Sequence, residues 1–102
     1  MKPGMEQAQI QLTTLLEQSE ITAGMYVRVR GDHLIAGRKE PLGPNGELDD
    51  TDRVRFTRLS SRTYGLSVMR HTGRWERTPF SGALAEMVET VHALMQHLVA
   101  PY

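Results

Sequence analysis

The chain reads as an α+β fold: an N-terminal helix, an antiparallel meander of four or five strands, and a long C-terminal helix packed on one sheet face. Three observations predict it. Apolar residues recur at three- and four-residue spacing near both ends of the chain, the signature of amphipathic helices. Between those ends the period falls to two, as half-buried strands require. Short clusters of glycine, serine, aspartate and proline interrupt the alternating stretch where a meander needs turns.

The first helix is expected over residues 4–19. Met5, Ala8, Leu12, Leu15 and Leu16 share one face and Ile10 falls off it. Gly24 breaks the pattern, and "YVRVR" then alternates Val27 and Val29 with Arg28 and Arg30. "GDH" reads as a tight turn that returns the chain through "LIAGRKE". Residues 41–52, "PLGPNGELDDTD", hold two prolines, two glycines and four acids, and read as a loop. "RVRFTRL" resumes the alternation, with Val54 and Phe56 opposite Arg53, Arg55 and Thr57. After "SSR", Tyr64, Leu66 and Val68 form one face of the next strand. Thr72-Gly73 reads as a hairpin turn leading into "RWERTPF", where Pro79 either ends the last strand or places it on a sheet edge. Ser81 suits the N-cap of the final helix. Leu84, Met87, Val88, Val91, Leu94, Met95 and Leu98 form its apolar stripe, and Pro101 closes it.

At 102 residues the chain is expected to form a single domain, 1–102. There are no cysteines, which excludes disulfides, thiolate zinc sites and cysteine nucleophiles. That absence favours a reducing compartment, and the expected location is cytoplasmic. The first residues carry a lone Lys2 and no apolar run, unlike a signal peptide. No stretch approaches the ~18 apolar residues of a membrane span, so no membrane partner is expected.

The net charge of +0 conceals a partition along the chain. Residues 41–52 carry a local charge of −4, whereas residues 53–78 carry seven arginines against Glu76 alone, a local +6. Alternation sends Arg28, Arg30, Arg53 and Arg55 to the sheet face opposite the helices, which an antiparallel sheet can leave wet. Neighbouring guanidinium groups repel unless acids or a ligand intervene. Arg70 and Arg74 extend this basic surface, and Trp75 offers an aromatic platform for a base. The expected function is a non-enzymatic binding module for an anionic partner, with single-stranded nucleic acid as the leading candidate. The alternative is a protein–protein interaction subunit or homodimeric adaptor, in which the same arginines meet an acidic protein surface or the 41–52 loop covers them. Surplus apolar residues on the last helix, Met87 and Met95 among them, suit a homodimer contact.

The sheet-then-helix order resembles the layout of single-stranded nucleic-acid folds with four strands and one long helix, a resemblance of layout without a shared motif. No catalytic residues are nominated. His71 in "RHTGR" has no second histidine placed to work with it. Ser67 and Ser81 fit no Gly-x-Ser-x-Gly elbow. No metal site is expected, because His92 and His97 lie roughly 140° apart on a helix and cannot share a ligand face. No cofactor is expected either, since the glycine-rich stretches lack a phosphate-loop pattern.

Overall fold

A computed structural model describes residues 4–41 and 44–100. The order is α1 (Glu6–Glu17), β1 (Tyr26–Arg30), β2 (His33–Pro41), β3 (Leu48–Arg58), β4 (Tyr64–Met69), β5 (Trp75–Gly82), α2 (Leu84–Leu94) and α3 (Gln96–Val99). The strands form one five-stranded antiparallel sheet in sequence order. The α+β layout that the periodicity predicts is present, with helices from both ends of the chain packed on the same sheet face.

Burial follows the predicted stripes. Met5, Leu12 and Leu16 of the first helical segment are buried, Ala8 and Leu15 pack against them, and Ile10 is exposed. From the sheet, Leu34 and Ala36, Val54 and Phe56, and Leu66 and Val68 face the helices as cross-strand neighbours. Each buried Leu, Val or Phe contributes roughly 1.5–3 kcal/mol, so this seam sets the strand register. The β4–β5 turn is the expected one. Gly73 has φ 82° and donates its N–H to the Arg70 carbonyl at 2.9 Å, while Arg70 N–H donates to the Arg74 carbonyl at 2.9 Å.

The end of the chain departs from the single helix expected. Met95 adopts φ −128°, ψ 24°, which ends α2, and α3 turns back to contact β3. Val99 is thereby fully buried, while Leu94, predicted in the stripe, is 58% exposed. Ser81 is a β5 residue registered with Gly65, not the cap. The N-cap is Ala83, whose N–H donates to Glu86 Oε1 at 3.1 Å, placing a carboxylate at the positive helix end. Pro79 lies within β5, which pairs only with β4 and is an edge strand. Pro101 lies outside the described residues.

Two further departures shape the open face of the sheet. Strand β3 begins at Leu48, so residues 48–52 are paired strand rather than loop. Asp50 stands opposite Lys39, and the two side chains form an ion pair at 3.4 Å. That pair offsets part of the cost of acids in a strand, where propensity disfavours them, although Asp49 stands opposite Glu40. A bulge then falls between Ala36 and Gly37: Ala36 pairs with Val54, but Gly37 pairs with Asp52. Arg53 is therefore the extra residue of β3 and leaves the alternating row.

Polar contacts fasten the helices to one another and to the sheet. Thr22, fully buried, donates its hydroxyl to the Leu16 carbonyl at 2.6 Å. Its oxygen must then accept the hydrogen bond it shares with His92 Nε2 at 2.9 Å, which puts a proton on Nε2. Arg38 points to the helix side of β2. Its Nε donates to the Val99 carbonyl at 2.7 Å, and its two terminal nitrogens donate to the Ala23 and Ile21 carbonyls, each at 2.9 Å.

Candidate anion-binding sheet face

The face turned away from the helices is organised by strand register. One row runs Arg28, Ile35, Arg55, Ser67 and Arg77 across all five strands. The next runs Arg30, His33, Thr57 and Gly65. Neighbouring strands lie about 4.8 Å apart, so the three arginines of the first row, on alternate strands, stand roughly 10 Å apart. Between them Ile35 and Ser67 are each 3% exposed, although no described helix covers this face.

The arginines differ in their electrostatic state. Arg28 donates to Asp52 Oδ2 at 2.5 Å, and Lys39 is paired with Asp50. The former loop acids therefore neutralise the bulge end of the face. Arg30, Arg55 and Arg77 meet no carboxylate among the described residues. Arg55 packs over Trp75, 4.9 Å from the ring centroid, a cation–π contact. Burial, and then the charge of Arg77, hold the Arg55 guanidinium below its ordinary pKa. Two like charges thus face each other across Ser67.

A cavity of about 190 Å³ opens at this place, lined by His33, Arg55, Thr57, Leu59, Gly65, Ser67 and Arg77. His33 Nδ1 and Thr57 Oγ1 lie 2.8 Å apart as a cross-strand pair. Burial, and then the Arg55 charge, lower the His33 pKa, which favours its neutral form.

No family model, curated protein or solved structure matches this chain. The functional reading therefore rests on the geometry of this face alone.

Of the residues nominated from sequence, Arg28 and Arg55 share one row, Arg30 lies in the next, and Trp75 supports Arg55. Arg53 does not join them. The bulge turns it to Glu40, with which it forms an ion pair, so its place in the predicted row is corrected. Arg70 and Arg74 flank the β4–β5 hairpin tip, where Arg70 pairs with Glu76 at 3.0 Å and Arg74 is exposed. Arg77, His33, Thr57 and Ser67 were not nominated. Alternation along β5 carried a signal for Arg77, since it follows Trp75 by two residues on the same face.

At the bulge end, the Tyr26 hydroxyl donates to Asp52 Oδ1, the carboxylate that also holds Arg28. Burial first, and the bond to Asp52 second, push the phenol pKa well above its ordinary value. A raised pKa means that the folded protein keeps a proton the unfolded chain releases. The resulting stabilisation is present below the unfolded value near 10 and is lost as pH rises beyond it. Unfolding free energy is expected to fall above about pH 10, by up to about 1.4 kcal/mol per pH unit from this group. Tyr26→Phe, less stable by about 1–2 kcal/mol at neutral pH, should show a shallower alkaline fall in chemical denaturation. Identical alkaline slopes for the two proteins would overturn this assignment.

Proposed function

We propose that this protein is a non-enzymatic binding module whose open sheet face engages an anionic partner, single-stranded nucleic acid being the partner its chemistry fits best. The observation that carries the reading is the register row in which Arg55 and Arg77 face each other across Ser67 without a carboxylate among the described residues. An anion seated between them relieves a repulsion that no described carboxylate offsets. Arg30 adds a third such cation in the adjacent row. Trp75, already under Arg55, supplies an aromatic surface of the kind on which bases stack for about 1–3 kcal/mol each. Arg30 and the Arg55–Arg77 pair lie in adjacent rows, which suits an extended polyanion crossing the strands.

Titration with a fluorescently labelled single strand at two salt concentrations tests this. If Arg30, Arg55 and Arg77 each neutralise one phosphate, log K is expected to fall against log salt with a slope of about −2. Binding that is absent at low salt, or indifferent to salt, would defeat the reading.

A second reading, a homodimeric adaptor, is favoured by one feature. Leu94 continues the apolar stripe of α2 into solvent, beside a groove lined by Pro79, Phe80, Met87 and Ala93. Sedimentation equilibrium over a range of concentrations separates the two: a monomer at every concentration removes the dimer.

A further inference from the structure

We propose that the cavity between Arg55 and Arg77 is a phosphoryl subsite that takes the terminal phosphate monoester of the bound strand. This deepens the reading of the sheet face as an anion-binding surface and rests on it. The cavity brings together the donors that a tetrahedral dianion requires. Guanidinium groups enter from β3 and β5, on opposite sides of the buried Ser67, and Thr57 adds a second hydroxyl. Arginine forks match phosphate oxygens in pairs, whereas a planar carboxylate offers fewer acceptors to two forks and two hydroxyls at once.

Arg55 keeps an unused donor. Its Nε is buried and has no hydrogen-bond partner among the described residues, and buried nitrogens without one are rare in native proteins. Its guanidinium packs over the Trp75 ring, 4.9 Å from the centroid, which limits where the fork can lie. Size narrows the ligand further. At about 190 Å³ the cavity falls below the ~300 Å³ at which whole-ligand pockets begin. It accommodates a phosphoryl group and leaves the attached nucleoside outside. Leu59, 51% exposed at the rim, provides apolar surface for that sugar or base. Gly65 lets Leu59 lie close at this wall, since a Cβ there would be 3.4 Å from Leu59 Cδ1.

His33 completes the wall. The charged groups around it are Arg30 from β1, Asp32 from the turn and Arg55 from β3, with Arg77 across the cavity. Its Nδ1 is occupied by Thr57, so the imidazole also orients that hydroxyl. The terminal phosphate could be carried by a strand or supplied as free inorganic phosphate, and the two share this chemistry.

The test compares a 5′-phosphorylated oligonucleotide with its unphosphorylated twin at fixed ionic strength, for the wild type, R77Q and R28Q. Inorganic phosphate is titrated separately while the backbone amide signals of Thr57 and Ser67 are followed. The phosphorylated strand is expected to bind about ten-fold more tightly than its twin. R77Q should abolish that difference, and R28Q, whose guanidinium is held by Asp52 outside the cavity, should retain it. Arg77 is exposed and paired to no described carboxylate, so R77Q should stay folded, as its circular dichroism would report. Equal affinity for the two strands, together with salt-dependent binding, overturns the subsite and leaves the proposed function standing. Amide shifts at Thr57 and Ser67 with inorganic phosphate, but no strand binding, support the subsite and overturn the strand reading. An equal gain on phosphorylating a serine peptide overturns the nucleic-acid carrier.

Discussion

Replacing Arg38 with methionine is expected to lower the free energy of unfolding by about 3–5 kcal/mol, a large part of the roughly 5–15 kcal/mol available to a protein of this size. The guanidinium donates to three backbone carbonyls, Ile21 and Ala23 between α1 and β1 and Val99 at the end of α3. Each hydrogen bond from a charged donor contributes about 1.5–3 kcal/mol, and the three act as one unit, so the loss is smaller than their sum. Methionine fills similar volume with no donor and leaves those carbonyls to whatever water can reach them. The corner that carries the chain from α1 into the sheet would loosen, and α3 with it. Lysine keeps the charge but not the fork, and should recover only part of the loss. Urea denaturation of the wild type, R38M and R38K measures this; an R38M protein within about 1 kcal/mol of wild type would show that the three bonds do not hold the corner. Because Arg38 lies on the helix side of β2, anion binding to the opposite face should survive in R38K wherever it stays folded.

The same residue shows where the sequence was legible and where it was not. Helical stripes and strand alternation read correctly because burial of Leu12, Leu16, Val54, Phe56, Leu66 and Val91 dominates their energetics. Arg38 has the parity of Leu34 and Ala36, which face the core, and alternation alone treats an arginine there as an interruption. Its partners are carbonyls 15 to 61 residues away, and nothing in local composition announces them. The acids at 49, 50 and 52 misled for a related reason. Their loop-like composition outweighed two cations, Lys39 opposite Asp50 and Arg28 reaching Asp52 from β1, and those partners appear only once the register is known. Arg53 left the nominated row because one bulge shifts every later pairing of β2 with β3. The face that remains is smaller and more sharply divided than alternation implies. It has a neutralised end at Asp50 and Asp52, and a cationic end at Arg30, Arg55 and Arg77.

Gly37→Ala is expected to cost at least about 3 kcal/mol or to prevent folding, an effect beyond ordinary overpacking. Gly37 sits at the bulge, buried beneath the Tyr26 ring as that side chain crosses to reach Asp52. A Cβ at this position would lie 2.5 Å from the Tyr26 hydroxyl oxygen and 2.7 Å from Cζ, and closer still to the Thr51 carbonyl. These clashes differ in kind. The tyrosine can be trimmed, whereas the Thr51 oxygen is backbone of the paired strand and moves only if the β2–β3 register moves. Such a shift would displace Arg53 and Arg55 together, the first held to Glu40 and the second on Trp75. The double variant Tyr26→Ala/Gly37→Ala should therefore recover little of the loss, while Gly65→Ala, which meets only the flexible end of Leu59 at 3.4 Å, should be tolerated. Thermal denaturation of the three variants decides the point. Full rescue by the double variant would place the conflict in the tyrosine alone, and the bulge would then not be what fixes which arginines reach the open face.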